Sequence, residues 1–151
     1  MAAARKRNTK SDPEHHLIGR IQSNSFSYYI SDHHTQGHQF VDDEAIIELS
    51  TTVVKIEPPN ADHLGAELAC SLVCARRFDG SLAENGTGRP FFLSVALKRN
   101  QRSMLAYLPS DAFWALQSRL EAGSITHVEL SYLKPVRGAG ELTSIHLRSG
   151  E

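Results

Sequence analysis

Residues 91–108 read FFLSVALKRNQRSMLAYL, and this stretch decides the fold. Phe91, Leu93, Val95 and Leu97 recur at every second position, and Met104, Ala106 and Leu108 do so again after a polar break. A period of two belongs to a β-strand, whose side chains point to opposite faces in turn. A tight turn at Asn100-Gln101 sets Leu97 opposite Met104, Val95 opposite Ala106 and Leu93 opposite Leu108. One register thereby gathers all of these apolar side chains on one face of a hairpin. The other face carries Phe92, Ala96, Leu105 and Tyr107 and needs cover of its own.

The cover is expected immediately downstream. Ser110 follows Pro109 as an N-cap, Asp111 suits the positive end of a helix, and Gly123 suits its end. Between them Phe113, Leu116 and Leu120 form an apolar stripe at helical spacing, with Trp114 on its margin. The same register test applies to the last strands. Val128, Leu130 and Tyr132 alternate, as do Thr143, Ile145 and Leu147. A turn centred on Arg137-Gly138 sets Tyr132 opposite Thr143, Leu130 opposite Ile145, Val128 opposite Leu147 and, on the outer face, Glu129 opposite His146.

Working upstream, residues 45–57 are rich in β-branched side chains and read as a strand. A phase change between Leu49 and Val54 marks a bulge, and Pro58-Pro59-Asn60 ends the run. Leu64–Phe78 fits two periods. Leu64, Leu68 and Leu72 suit a helix, whereas Leu68, Cys70, Leu72, Cys74 and Phe78 suit a strand, which its strand neighbours favour. Residues 17–40 hold an aromatic patch, Phe26-Ser27-Tyr28-Tyr29-Ile30, read as a peripheral strand. Residues 79–89 read as a glycine-rich loop, and residues 1–16 as a disordered basic and polar tail. The expected fold class is mainly β. It is an antiparallel β-sandwich or partly open barrel, with one helix at about residues 110–122 packed on the sheet, in one domain over 17–151.

Composition narrows the function classes. A net charge of −1 excludes a global field for nucleic acid or membrane, and no apolar run is long enough for a signal peptide or a spanning helix. A soluble cytoplasmic protein is therefore expected. Charge is nonetheless segregated: acidic residues dominate between Asp32 and Glu67, basic ones between Arg76 and Arg102, unless a folded sheet interleaves them.

Four constellations invite chemistry. His34, His38 and Asp42 stand four apart, a ligand spacing on a helix, but Thr35 and Gly37 argue for a loop. A metal-dependent enzyme using the segment His33–Glu44 is thus an alternative, not the main reading. Cys70 and Cys74 on a strand would be roughly 13 Å apart, beyond a disulfide or a shared ion, so buried inert thiols are expected. Glu129 and His146 make an acid–imidazole pair beside which no nucleophile is placed. Lys98, Arg99 and Arg102 crowd the hairpin tip, where they could hold an anion. No motif assembles a nucleophile, a base and an anion stabiliser, and no cofactor is called for. The function expected is a non-catalytic binding or protein-interaction module, with a protein partner or homo-oligomer favoured. The alternative is an accessory protein touching nucleic acid or another polyanion through the basic hairpin.

Overall fold

A computed structural model describes residues 14–35, 38–77 and 94–150 of the chain. Its strands are β1 (His15–Thr35), β2 (His38–Glu57), β3 (Glu67–Arg77), β4 (Ser94–Lys98), β5 (Gln101–Tyr107), β6 (His127–Tyr132) and β7 (Ala139–Arg148), with one helix, α1 (Ser110–Glu121). Residues 1–13 of the expected tail, the expected loop at 79–89, and Phe91 to Leu93 of the expected strand lie outside the described residues, while His15 and His16, expected in the tail, are strand and pair with Tyr132 and Ser131.

The strands close in the order β1-β2-β3-β5-β4-β7-β6, with β6 returning to β1. The result is a mainly-β ring, less regular than an ideal barrel, as the alternation of apolar side chains required. One pair departs from the antiparallel expectation: β3 and β5 run parallel, Cys70 facing Met104 and Leu72 facing Ala106. The β4–β5 hairpin docks through its second strand, so β5 rather than β4 lies beside β3.

β3 is a strand, so the choice of period two over the helical period holds. Its Leu68, Cys70, Leu72 and Cys74 are buried, and both cysteines are free. Burial pushes the Cys70 thiol up to about 12, the opposite of an activated nucleophile. In β2 the inward set is Ala45, Ile47, Leu49, Thr51 and Val53, followed by Ile56. The bulge falls at Val54, the end of the interval over which the apolar pattern changes phase, because Ile18 faces Lys55 while Gly19 faces Val53. Thr51 points inward although polar, its hydroxyl donating to the Leu68 carbonyl at 2.9 Å.

The β4–β5 register needs correction. Lys98 pairs with Gln101, Leu97 with Arg102 and Val95 with Met104, so the turn is Arg99-Asn100. A slip of two residues leaves every side chain on its own face, so the apolar pattern cannot distinguish the two registers. The β6–β7 register agrees with expectation for Val128–Leu147, Glu129–His146 and Leu130–Ile145. Only Tyr132 differs, facing Leu142 across an irregularity that leaves out Thr143. Arg137 and Gly138 both have positive φ, the geometry of a two-residue hairpin turn.

The helix forms where expected, but Ser110 is its first residue and Pro109 holds the N-cap position. Gly123, at φ 72°, ends it as expected. The larger correction concerns what α1 covers. Phe113, Leu116 and Leu120 join the same core as Val95, Met104 and Leu130, so the helix seals the inner side of the ring. The outer-face residues Ala96, Leu105 and Tyr107 stay only half-buried. A ring of inward-facing apolar side chains leaves a mouth that water would enter, and an amphipathic helix closes it.

Candidate interaction surface

Seven-strand closure uses only the first part of β1. Its residues His15–Arg20 pair with β6, and the Ile21 amide still donates to the Thr126 carbonyl at 2.8 Å. Beyond that point β1 and β2 run on together as an arm, with Ser23 facing Ser50 and Thr35 facing His38, and β3 flanks β2 on its other side as far as Asp42. Among the described strands, β1 has one neighbour along this arm, β2. The aromatic patch, expected in a peripheral strand, lies in an edge strand, and the first third of that strand is built into the ring.

An irregularity at Gln22, skipped between the Ile21–Thr51 and Ser23–Ser50 pairs, sets the chemistry of the arm. Before it, Leu17, Gly19 and Ile21 face the core. After it the phase reverses, and Phe26 and Tyr28 stand opposite the buried Ile47 and Ala45. They thereby meet α1. The Phe26 ring lies 5.6 Å from Trp114 and 6.5 Å from Phe113, and Tyr28 lies 6.3 Å from Trp114. The Phe26–Trp114 contact is edge-on, an arrangement favourable beyond the area it buries. The Tyr28 hydroxyl donates to Asp43 at 3.0 Å, which gives this buried carboxylate a partner.

The cluster is only half covered. Phe26, Tyr28 and Trp114 retain 41%, 45% and 40% of their exposure, and Ile30 retains 53%. On the other face Tyr29 is equally open and hydrogen-bonds Glu44, a contact that raises its pKa above the usual phenol value. From Ile21 to Ser31 the chain contains no charged residue, no glycine and no proline.

The residues picked out by sequence lie elsewhere. The described residues of this segment, 33–35 and 38–42, are strand and not loop. His33 reaches Asp42 at 2.8 Å across the arm, while His34 points to Asp32 at 3.4 Å, so His34 and Asp42 are not brought together. The His38 side chain is outside what the structure describes. Among the described residues no three His, Cys, Asp or Glu side chains are grouped to hold a metal ion. The charge segregation is partly interleaved, since Asp42 and Asp43 take register positions facing Arg77 and Arg76. Glu129 does meet His146, at 3.4 Å, but Arg148 is nearer at 2.6 Å and is the main cause of its lowered pKa. In the adjoining shallow depression of about 260 Å³, His16 Nδ1 contacts the Ser131 hydroxyl at 3.0 Å. The pair sits exposed on an outer sheet face, without the desolvated surroundings that activate a serine.

At the basic hairpin the corrected register puts Arg99 in the turn and Arg102 opposite Leu97. Arg102 leans away from the tip. Its Nε donates to His63 Nδ1 at 2.8 Å and its Nη2 to the Asp62 carbonyl at 2.7 Å. Arg99 and Lys98 stay exposed, with the Asp62 carboxylate 4.0 Å from Arg99.

Comparison with known proteins finds no match. No family model, curated protein or solved structure matches this chain. The site must therefore be read from its own residues.

His63 illustrates what sequence reasoning missed. It is buried, and a guanidinium can only donate, so His63 Nδ1 must be the accepting nitrogen of a neutral ring. Burial first and the Arg102 charge second hold its pKa below the usual imidazole value, with Asp62 opposing. The unfolded chain therefore takes up a proton near pH 6.5 that the folded chain still refuses. Stability from this site is complete above about pH 6.5 and falls as pH drops from there towards the folded pKa. Urea unfolding between pH 7.5 and 5.5 should show a loss for the native protein that His63→Gln lacks. Equal slopes in the two proteins would contradict the assignment.

Proposed function

We propose that the protein is a non-catalytic, cytoplasmic interaction module that binds a protein strand along the edge of its β1–β2 arm. The observation that supports this most is the character of that edge. Solvent-facing edge strands are normally guarded by lysines, prolines, bulges or shortness, because bare backbone groups recruit another strand. Among the described residues this edge has none of these guards from Ser23 to Ser31, and it is flanked by the half-exposed Phe26, Tyr28 and Trp114. Added strands gain affinity from main-chain hydrogen bonds and selectivity from alternate side chains, and the aromatic cluster supplies an apolar place for the latter. Anion contact through Lys98 and Arg99 is the weaker reading, since Arg102 is committed to His63 and Asp62.

A displayed library of peptides of about ten residues, selected on the immobilised protein, tests the module reading. Extended sequences with alternate apolar positions should be enriched, and Ser25→Lys should abolish their binding while Thr143→Lys leaves it intact. Ser25 is exposed and faces Glu48, so a lysine there is compatible with the fold. Enrichment that is indifferent to the arm substitution, or no enrichment at all, would overturn the proposal.

A further inference from the structure

We infer that the end of the ring opposite the arm is a docking surface for an anionic lipid bilayer. The inference is independent of the strand-binding reading and adds a second partner to it.

Strand directions decide what gathers at that end. The β2–β3 turn (58–66), the β4–β5 turn at Arg99-Asn100, the β6–β7 turn (133–138) and the start of β1 all lie there. This follows because β3 runs parallel to β5 while every other pair is antiparallel. Backbone and side-chain contacts tie the turns together. The Leu97 amide donates to the Gly138 carbonyl at 2.7 Å, and Arg102 Nη2 donates to the Asp62 carbonyl at 2.7 Å. The three tips are thus held as one surface.

Two kinds of side chain crowd it. Lys98, Arg99, Lys134 and Arg137 are exposed cations on neighbouring turns. Of these four, among the described residues, only Arg99 has a carboxylate near it, Asp62 at 4.0 Å. Glu57, at the same end, is taken up by Lys55 at 3.1 Å. The same turns expose aliphatic side chains: Val136 retains 73% of its exposure, Leu64 55% and Leu133 38%. A single exposed aliphatic is ordinary, but three on adjoining tips, among unpaired cations, mark a contact surface.

The combination selects the partner. Nucleic acid would use the cations, but base contact calls for aromatic side chains. The exposed aromatics among the described residues, Phe26, Tyr28, Tyr29 and Trp114, lie towards the other end. A bilayer with anionic headgroups uses both kinds of side chain: cations meet its surface potential and aliphatic tips enter the headgroup boundary. A net charge of −1 describes the field of the whole chain, whereas attraction to a surface acts locally, within about 8 Å at physiological salt. Residues 1–10 carry Arg5, Lys6, Arg7 and Lys10 and no carboxylate, and the chain they begin enters the fold at this same end, where His15 pairs with Tyr132. Docking in this orientation directs the arm away from the membrane.

Sedimentation of the full chain with vesicles tests the inference. Vesicles of phosphatidylcholine and phosphatidylserine, at about 2:1, should carry the protein down at low salt, and phosphatidylcholine alone should not. Lys98→Gln combined with Lys134→Gln should weaken binding about 25-fold, roughly fivefold per charge. Leu64→Ser combined with Val136→Ser should weaken it too, while its salt dependence remains. All four side chains are exposed, so the melting temperature should hardly move. Orientation is read separately with an environment-sensitive fluorophore on a single new thiol, since Cys70 and Cys74 are buried. The label on Val136→Cys should shift to shorter wavelength on the anionic vesicles, and the label on Ser25→Cys should not. No sedimentation, equal binding to neutral vesicles, or a shift at position 25 and not at 136 would each overturn the inference. A single-stranded oligonucleotide bound as tightly as the vesicles, and indifferent to the Leu64 and Val136 substitutions, would also overturn it and make this end a nucleic-acid site.

Discussion

Replacing Phe113 with alanine is expected to cost about 3–5 kcal/mol of stability, a large effect for a single truncation. Phe113 is fully buried on the inward stripe of α1, among the core residues of the ring. It is also the link between that core and the arm, touching Phe26 at 6.5 Å and Trp114 at 5.4 Å between ring centroids. Truncation removes apolar area and leaves a cavity that closed strands cannot collapse to fill. Domains of this size hold roughly 5–15 kcal/mol in total, so the variant should be near the limit of folding at 37 °C. Thermal unfolding should shift downwards by roughly 10 °C, at about 2–4 °C per kcal/mol. Trp114→Ala is the control: its side chain is 40% exposed, so its truncation should cost clearly less. A Phe113 variant as stable as the Trp114 variant would mean that α1 does not seal the ring.

Gly140→Ala should cost about 1–3 kcal/mol, although its backbone is not in the left-handed region. The reason is space. A Cβ on Gly140 would stand 2.9 Å from the Leu133 carbonyl oxygen, 3.3 Å from Val95 Cγ1 and 3.4 Å from Tyr132 Cδ2. The carbonyl belongs to backbone and cannot rotate aside as a side chain could. Gly140 faces Val95 on β4 and follows the turn that returns β7 to β6, so relief would require both pairings to shift. Gly65→Ala separates this cause from backbone strain. Gly65 has φ 79° but nothing within 4 Å of a Cβ, so its substitution should show strain alone. Chemical denaturation of the two variants measures both, and a Gly140 variant as stable as the native chain would refute the close approach.

Much of the architecture was legible in the chain because strands and helices differ in period. The alternation of Val95, Leu97, Met104 and Ala106, the stripe of Phe113, Leu116 and Leu120, and the facing of Leu130 with Ile145 all follow from which side chains must leave water. Those forces act on a face, and a face is preserved by any slip of two residues. Hence the apolar pattern fits a turn at Asn100-Gln101 as well as the true one, in which the strands pair two residues away and Arg99 lies in the turn. Thr51 was hidden for a related reason: a polar side chain points inward when a partner across the sheet accepts its hydrogen bond.

The candidate surface was legible only in fragments. The aromatic run at Phe26–Ile30 and the marginal position of Trp114 are visible in the letters, but nothing in the sequence joins residues almost ninety positions apart. Their meeting depends on an irregularity at Gln22, where no glycine or proline marks it, and on the helix turning into the ring. His63 and Arg102 met in the same way, when the β2–β3 turn folded against the hairpin. Local periodicity therefore determined which elements form and which faces are apolar, because burial acts residue by residue along each strand. Ring closure decided the parallel β3–β5 pair, the side on which α1 packs and the length of β1 left as an edge. Those outcomes depend on which distant strands find room beside one another, and no short-range pattern records that.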